Sequence, residues 1–377
     1  MKFLHTGDLH IGKTVNGFSM LEDQKKALTQ MVEIAKRENV QAFVIAGDVY
    51  DRAIPTAEAV LLFNDFLSEL HELSIEVLCI SGNHDSPERL SFLEHVLEKN
   101  KIHMAGVYEN SCKQIELQDE YGTVVFVLMP YLKPYTLHVK NSNEVVEKMI
   151  QETFESMPYN KNMRYVMVTH YFVVGDNNQE PELSDSENIS YVGGLDMVST
   201  SHFERFAYTA LGHIHKPQKM GKNIYYSGSP LPYSFSECEH KKGIWLVDLK
   251  KEGVDSVVKC EIEPLRGMRK IKGDLINLIS DEVVNSGDAL DYMHITLTDE
   301  GELIDPIGTL RNFYPNVMQL VIEKYQVDME EEYKIDTVED KSLEEVFADF
   351  YFNTTNREMD ETRSKMIKKV FVELEND

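Results

Sequence analysis

The stretch Ser81-Gly82-Asn83-His84-Asp85 decides how this chain is read. It follows a mostly apolar run, Ile75 to Ile80, that predicts a buried strand. Ser86-Pro87-Glu88-Arg89 comes next and predicts a helix start, with Ser86 as N-cap and Pro87 in the first turn. Asn83 and His84 are therefore expected on a tight turn at the carboxyl end of a strand, where open α/β sheets place their ligands. An amide oxygen binds a metal without adding charge. A histidine beside it can give a proton to a phosphate oxygen.

Working outward, the same pattern recurs. Phe3 to Gly7 predicts a strand ending in Asp8-Leu9-His10, and Gln41 to Ala46 one ending in Gly47-Asp48-Val49-Tyr50-Asp51. Between the strands lie helical spacings: Leu21, Leu28, Met31, Val32 and Ala35, then Ala59, Val60, Leu62, Phe63, Phe66, Leu67 and Leu70, then Leu90, Leu93, Val96 and Leu97. Strand–helix–strand alternation predicts a doubly wound sheet. After about Met104 the texture changes. Lys113 to Leu117 and Val124 to Met129 predict a hairpin, and Val145 to Phe154 a helix. Tyr165 to Thr169 predicts a strand ending in His170, and Phe206 to Leu211 one ending in Gly212-His213-Ile214-His215. Ile224 to Ser227, Gly243 to Asp248 and Val254 to Glu261 complete the β-structure, while the polar segment Gly175 to Ser190 reads as a loop over one edge. The fold class is α/β: two mixed sheets packed face to face with helices outside.

Pro264-Leu265-Arg266-Gly267 reads as a boundary. The expected domains are residues 1–263, a smaller αβ segment over 264–327, and an acidic tail over 328–377 with 16 Asp and Glu against 7 Lys and Arg. The tail carries two amphipathic stripes, Leu343, Val346, Phe347 and Phe350, then Met359, Met366, Ile367, Val370, Phe371 and Leu374. Such a helix pair either folds onto the body or binds a partner.

The formal net charge is −26 over 377 residues, which argues against a stand-alone DNA binder but not against a nuclease whose metals and partner supply positive charge. Cys79, Cys112, Cys238 and Cys260 lie far apart and read as reduced thiols. With no apolar leader and no apolar run of about 18 residues, the expected location is cytoplasmic, away from membrane.

The strand ends together carry Asp8, His10, Asp48, Asn83, His84, His170, His213 and His215. Carboxylate and imidazole suit Mn, Fe and Zn, and the lack of thiolates disfavours a closed structural zinc site. In D-x-H and H-x-H, alternate residues of an extended segment point the same way. Asp48 can bridge two ions with its two oxygens. Two divalent ions would stabilise the attacking and leaving oxygens of an in-line displacement, which describes phosphoester hydrolysis.

Asp8-Leu9-His10, Gly47-Asp48-Val49-Tyr50-Asp51, Gly82-Asn83-His84-Asp85 and Gly212-His213-Ile214-His215 resemble the motifs of the calcineurin-like metallophosphoesterases. The resemblance implies a four-layer sandwich. It implies that Asp8, His10, Asp48 and His215 hold one metal and that Asp48, Asn83, His170 and His213 hold the other. His84 would then be the catalytic acid. Lys2 through Lys13, Leu21-Glu22-Asp23-Gln24, Tyr225 to Pro230, Tyr233-Ser234-Phe235-Ser236-Glu237 and Pro264-Leu265-Arg266 resemble the bacterial SbcD nucleases. That resemblance implies Mn-dependent cleavage of DNA, 3′→5′ from duplex ends and internally in single strands and hairpins. It implies a cap after Arg266, a homodimer within a heterotetramer, and a coiled-coil SbcC-like ATPase gripped by the two C-terminal helices. Asp51 stands where archaeal and eukaryotic relatives usually carry His, which fits the bacterial subclass and leaves its own role open.

Overall fold

The computed structural model describes residues 1–175, 179–187, 197–299, 301 and 303–323, and in the tail 347–348, 351, 364–368 and 371. The chain divides into two compact units, Met1–Glu323 and Lys324–Asp377.

The first unit is built on two six-stranded sheets. In the first, Lys2–Thr6, Ala42–Ala46, Glu76–Ile80 and Ile102–Ala105 run parallel in that order, and Gly243–Lys250 and Gly253–Glu261 add antiparallel strands beside Lys2–Thr6. In the second, Gly122–Met129, Arg164–Thr169, Tyr208–Leu211 and Ile224–Tyr226 run parallel, with antiparallel edges at Lys113–Asp119 and Gln218–Gly221. Parallel strands covered on both faces read as continuous apolar runs, and these do.

Alternation along each strand assigns its side chains to two layers. Phe3, Val44, Ala46, Leu78 and Ile80 meet Phe126, Leu128, Val166, Val168 and Tyr208 between the sheets. Phe3 sits edge-on to Phe126 at 5.4 Å and to Tyr208 at 5.5 Å between ring centroids. Leu4, Phe43, Ile45, Val77 and Cys79 face outward, under the helices Leu21–Glu38 and Ala57–Glu72. Val125, Val127, Tyr165 and Met167 face the helix Ser142–Ser156 on the other side. Helix, sheet, sheet, helix is the expected four-layer sandwich.

A buried ion pair ties the two sheets at the end away from the turns that carry the histidines. Arg164 donates twice to Asp119, at 2.6 and 3.0 Å, and also to the carbonyls of Gly122 and of Lys250 in the other sheet. The Met1 amine lies 2.8 Å from Asp119. Burial alone would raise the Asp119 pKa, but Arg164 and that amine hold it below the ordinary carboxylate range. A depressed folded pKa gives stability that is present above the unfolded value near 3.8 and lost as pH falls through the folded one. Arg164→Ala removes both guanidinium hydrogen bonds from Asp119 while leaving the Met1 amine beside it, and is expected to cost about 1.5–3 kcal/mol, measured by denaturant unfolding at neutral pH. The difference from the parent should shrink below about pH 4 as Asp119 protonates.

Three expectations are corrected. The first sheet is not doubly wound: Leu21–Glu38 and Ala57–Glu72 both cover one face, and the other face packs on the second sheet. Leu90 to Leu97 is not one amphipathic helix. It is broken into Pro87–Leu90 and Glu94–Leu97 by Leu93 at φ 61°, and only Leu90 is buried, while Phe92, Leu93 and Val96 are exposed. Helical spacing over one turn carries too little signal to separate a core stripe from a surface one. Ser86 stands at the N-cap, but its hydroxyl bonds Glu88 instead of a backbone amide. Strands Ile102–Ala105 and Met268–Gly273 were not expected at all.

Met268–Gly273, Tyr292–Leu297 and Val317–Ile322 form a separate three-stranded parallel sheet whose core is Leu278, Met293, Ile295, Leu297, Leu310 and Tyr314. It is fastened to the sandwich through Asp23, which accepts from Arg266 at 2.9 Å and from the Tyr292 hydroxyl at 2.8 Å. In the second unit, the rings of Phe347 and Phe371 meet at 6.1 Å, so one residue from each tail stripe is in contact, and Met366 is exposed. Leu343, Val346, Phe350, Met359, Val370 and Leu374 lie outside the described residues.

Candidate metal centre

The carboxyl ends of five parallel strands from the two sheets converge on one spot. Past Lys2–Thr6 and Ala42–Ala46 the chain continues side by side: Asp8 N–H donates to Gly47 O, His10 N–H to Asp48 O, and Ile11 N–H to Val49 O. Asp8, His10, Asp48 and His213 all have left-handed backbone, at φ 53°, 44°, 48° and 97°. That corrects the expectation of extended D-x-H and H-x-H segments. The side chains do converge, but on strained turns that bury Leu9 and Ile214 beneath them. Gly47, at φ 89°, passes so close that a Cβ would lie 2.4 Å from His170 Nδ1; one on Gly82 would lie 2.2 Å from Asp48 Oδ1.

The polar atoms then meet in two clusters that share Asp48. His10 Nε2 and His215 Nε2 are 3.1 Å apart, and Asp48 Oδ2 lies 3.7 Å from His10 Nε2. Asp8, His10 and His215 offer ligand atoms all within 4.8 Å of one another. On the other side, Asn83 Oδ1 lies 3.1 Å from His170 Nε2 and 2.9 Å from His213 Nδ1, and Asp48 Oδ2 lies 3.3 Å from His170 Nε2. Asp8 Oδ2 is buried and has no hydrogen-bond partner among the described residues. An orphaned buried carboxylate oxygen, paired imidazole nitrogens and an oxygen between two imidazoles form a donor set that fits two divalent cations. Asp8, His10, Asp48 and His215 would hold one; Asp48, Asn83, His170 and His213 would hold the other.

The electrostatics favour positive charge beside Asp48. Burial pushes Asp8 up to about 6, moderated by His170. Burial also favours neutral His170, but Asp48 outweighs it and raises His170 to about 9. Asp48 is held below the carboxylate range despite its burial, because His170 faces it. Burial drives His10 well down and, with His170, takes His213 to about 3, so both imidazoles present lone pairs.

His84 stands beside this centre and is half-buried. Its backbone N–H donates to Asp48 Oδ1 at 2.8 Å, and its Nδ1 bonds the Asp51 carbonyl at 3.0 Å. Nε2 is left for a substrate. One ring nitrogen comes within 4.8 Å of His10 and Asp48 ligand atoms, so proximity alone would also admit His84 as a ligand.

Behind the ligands lies a layer that the sequence reading missed. His170 Nδ1–H donates to Ala46 O at 2.7 Å. Asp85 is buried and accepts from Val49, Tyr50 and Gly82 backbone N–H groups at 3.1, 3.0 and 2.9 Å, tying the Asp48 turn to the Asn83 turn. Gln24 accepts from Gly12 N–H and donates to the carbonyls of Leu9 and His10. Asp51 takes Lys13 at 2.8 Å and lies 3.8 Å from His10 Nδ1, which has no hydrogen-bond partner among the described residues. Lys13 is thus engaged by Asp51, whereas Arg52 is largely exposed. Ser229, in the Gly228-Ser229-Pro230 turn, is fully buried, and its N–H donates to His215 O at 3.1 Å. The described part of Gly175 to Ser190 is no mere edge loop: Ser186 reaches His215 Nδ1 at 2.7 Å.

The comparisons with known proteins agree with this geometry. A family profile described as calcineurin-like phosphoesterase matches residues 1–255, and one described as type 5 capsule protein repressor C-terminal domain matches 264–355. A Staphylococcus epidermidis protein, the SbcD subunit of nuclease SbcCD, is 31% identical over 373 residues, covering 98% of this chain and 97% of the relative. Among solved structures, TT1561 of Thermus thermophilus is 12% identical at TM-score 0.40, covering 68% of this chain and 98% of its own. A dimetal phosphatase from Danio rerio is also 12% identical at TM-score 0.40, covering 70% and 99%. Those scores add nothing to the strand order already described. With the motifs at the strand ends, the two matched regions and a full-length relative in agreement, the chain belongs to the calcineurin-like phosphoesterases and, among them, to the SbcD nuclease subunits.

Proposed function

We propose that the chain hydrolyses DNA phosphodiesters at a two-metal centre, with Mn²⁺ as the working ion. The observation that carries the reading is the pair of donor clusters sharing Asp48, with His84 alongside. When bound, the two cations supply Lewis acidity toward the phosphoester. The protein's own share is positioning and proton transfer. Asp48, pinned by the His84 amide, orients both clusters. His84, held at Nδ1 by the Asp51 carbonyl, gives its Nε2 proton to the leaving oxygen.

In this reading the enzyme is a 3′→5′ exonuclease on duplex ends and an endonuclease on single strands and hairpins. It serves DNA repair, recombination and replication in the cytoplasm, at the nucleoid. Residues 1–263 are the nuclease domain and 264–327 the cap that recognises DNA. A cleft of about 420 Å³ supports the cap's part, lined by Lys13, Asn16, Tyr233, Lys270, His294 and Gln319 from the sandwich and the cap sheet. In this reading the nuclease domain pairs as a homodimer. Residues 328–377 bind a coiled-coil SbcC-like ATPase, giving a heterotetramer, and the Phe347–Phe371 contact supports a paired-helix tail. That partner carries the basic surface that a chain of net charge −26 lacks. Among the described residues, no helix is long and apolar enough to cross a membrane.

The competing reading is a phosphodiesterase for small esters or cyclic nucleotides. The purified chain, given Mn²⁺ with plasmid, hairpin DNA and bis-p-nitrophenyl phosphate, separates the two. Cleavage of hairpin DNA is expected. Turnover of the small ester without DNA cleavage, even with the ATPase added, would sink the nuclease reading. Deleting residues 341–377 should abolish co-purification of the ATPase while small-ester turnover persists; unchanged co-purification would refute the role given to the tail.

A further inference from the structure

One metal-facing histidine has an unusual support. His215 is the only candidate ligand among the described residues whose ring is backed by a buried ion pair through a hydroxyl. Its Nε2 faces His10 Nε2, and its Nδ1 lies 2.7 Å from Ser186 Oγ. Ser186 donates its single hydroxyl proton to Glu237 Oε1 at 2.5 Å. A hydroxyl that has spent its proton can only accept, so the His215 Nδ1–H must donate to it. Glu237 is fully buried and acceptor-only as a carboxylate, and it is kept so by Lys242 Nζ, which donates to Glu237 Oε2 and also to Ser229 Oγ and the His215 carbonyl. Tyr233 N–H and Ser234 Oγ donate to Glu237 Oε1 as well. Glu187, next to Ser186, accepts the His215 backbone N–H. Ring and backbone of one residue are therefore gripped by the same short segment.

We propose that Ser186, Glu237 and Lys242 form a positioning relay that locks His215 in the tautomer with Nε2 free for a cation, and so sets the affinity of the Asp8–His10–Asp48–His215 site alone. The proposal rests on the two-metal reading above. Outer partners of metal-bound histidines fix tautomer and ring orientation, and losing one typically costs about 10–100-fold in metal affinity. The other site has its own support, from the Ala46 carbonyl to His170, and shares none of these residues. Ser186 sits on a half-buried loop, so its truncation perturbs the relay without opening the core.

The test is calorimetric titration of the full chain with MnCl₂, with no substrate present. The parent binds two ions. In Ser186→Ala one site weakens about 10–100-fold and the other is unchanged, whereas Ser186→Thr, which keeps the hydroxyl, binds like the parent. Glu237→Gln weakens the same site, and its metal-free thermal unfolding checks that it folds. Unaltered binding of two ions by Ser186→Ala would overturn the relay while leaving the two-metal reading in place. Equal weakening of both sites without rescue by Thr would overturn it too, since that marks a general structural role. A parent that binds fewer than two ions would bring down the two-metal reading itself.

Discussion

His84→Gln is expected to lower phosphodiester turnover by about 10²–10⁴-fold, the range a positioned general acid supplies, while both Mn²⁺ ions still bind. The separation follows from how His84 is held. Its contact with Asp48 is through the backbone amide, which Gln retains, and its ring is anchored on the Asp51 carbonyl, outside both donor clusters. Gln approximates the length of the side chain and keeps a donor, but it cannot give up a proton to a leaving alkoxide. Because one ring nitrogen lies within 4.8 Å of the His10 and Asp48 ligand atoms, the metal titration is the discriminating arm. Loss of one ion in His84→Gln would make His84 a ligand, and full activity would remove it from the chemistry.

Asp48→Asn should be more damaging. Asp48 Oδ2 lies near both His10 Nε2 and His170 Nε2, and Oδ1 anchors the His84 amide. Replacing a buried shared carboxylate by an amide removes a full negative charge from both clusters and turns one of its two oxygens into an N–H₂ donor facing a backbone N–H or a cation. Since loss of even an outer partner costs about 10–100-fold, loss of the shared ligand should cost more than about 100-fold in affinity at both sites, and activity with it. The same titration measures this; normal binding of two ions by the Asp48→Asn variant would show that the clusters do not share this residue.

Much of this was legible in the sequence because parallel strands buried on both faces announce themselves as apolar runs, and their carboxyl ends mark where ligands go. Asn83, His170 and the H-x-H at His213 each end such a run, and the structure brings them together. What stayed illegible depends on contacts far apart in the chain. Ser186 lies in a polar loop like many others, and nothing local tells it from its neighbours; its meaning comes from Glu237, 51 residues on. Lys242 stands just before the strand Gly243–Lys250 like any charged flank, and only the structure shows it buried against Glu237. Asp85 stood inside the opening stretch, yet its task of joining two turns needs a partner loop 35 residues back. The break at Leu93 was missed for the opposite reason: a short periodic run matched a helix by spacing while its apolar side chains lay on the surface.

Crystals of the chain grown with MnCl₂ and measured for anomalous scattering at the manganese edge test the central claim most directly. The account predicts two peaks, one among Asp8, His10, Asp48 and His215 and one among Asp48, Asn83, His170 and His213, with Asp48 touching both. A single peak, or two peaks that share no ligand, would contradict it.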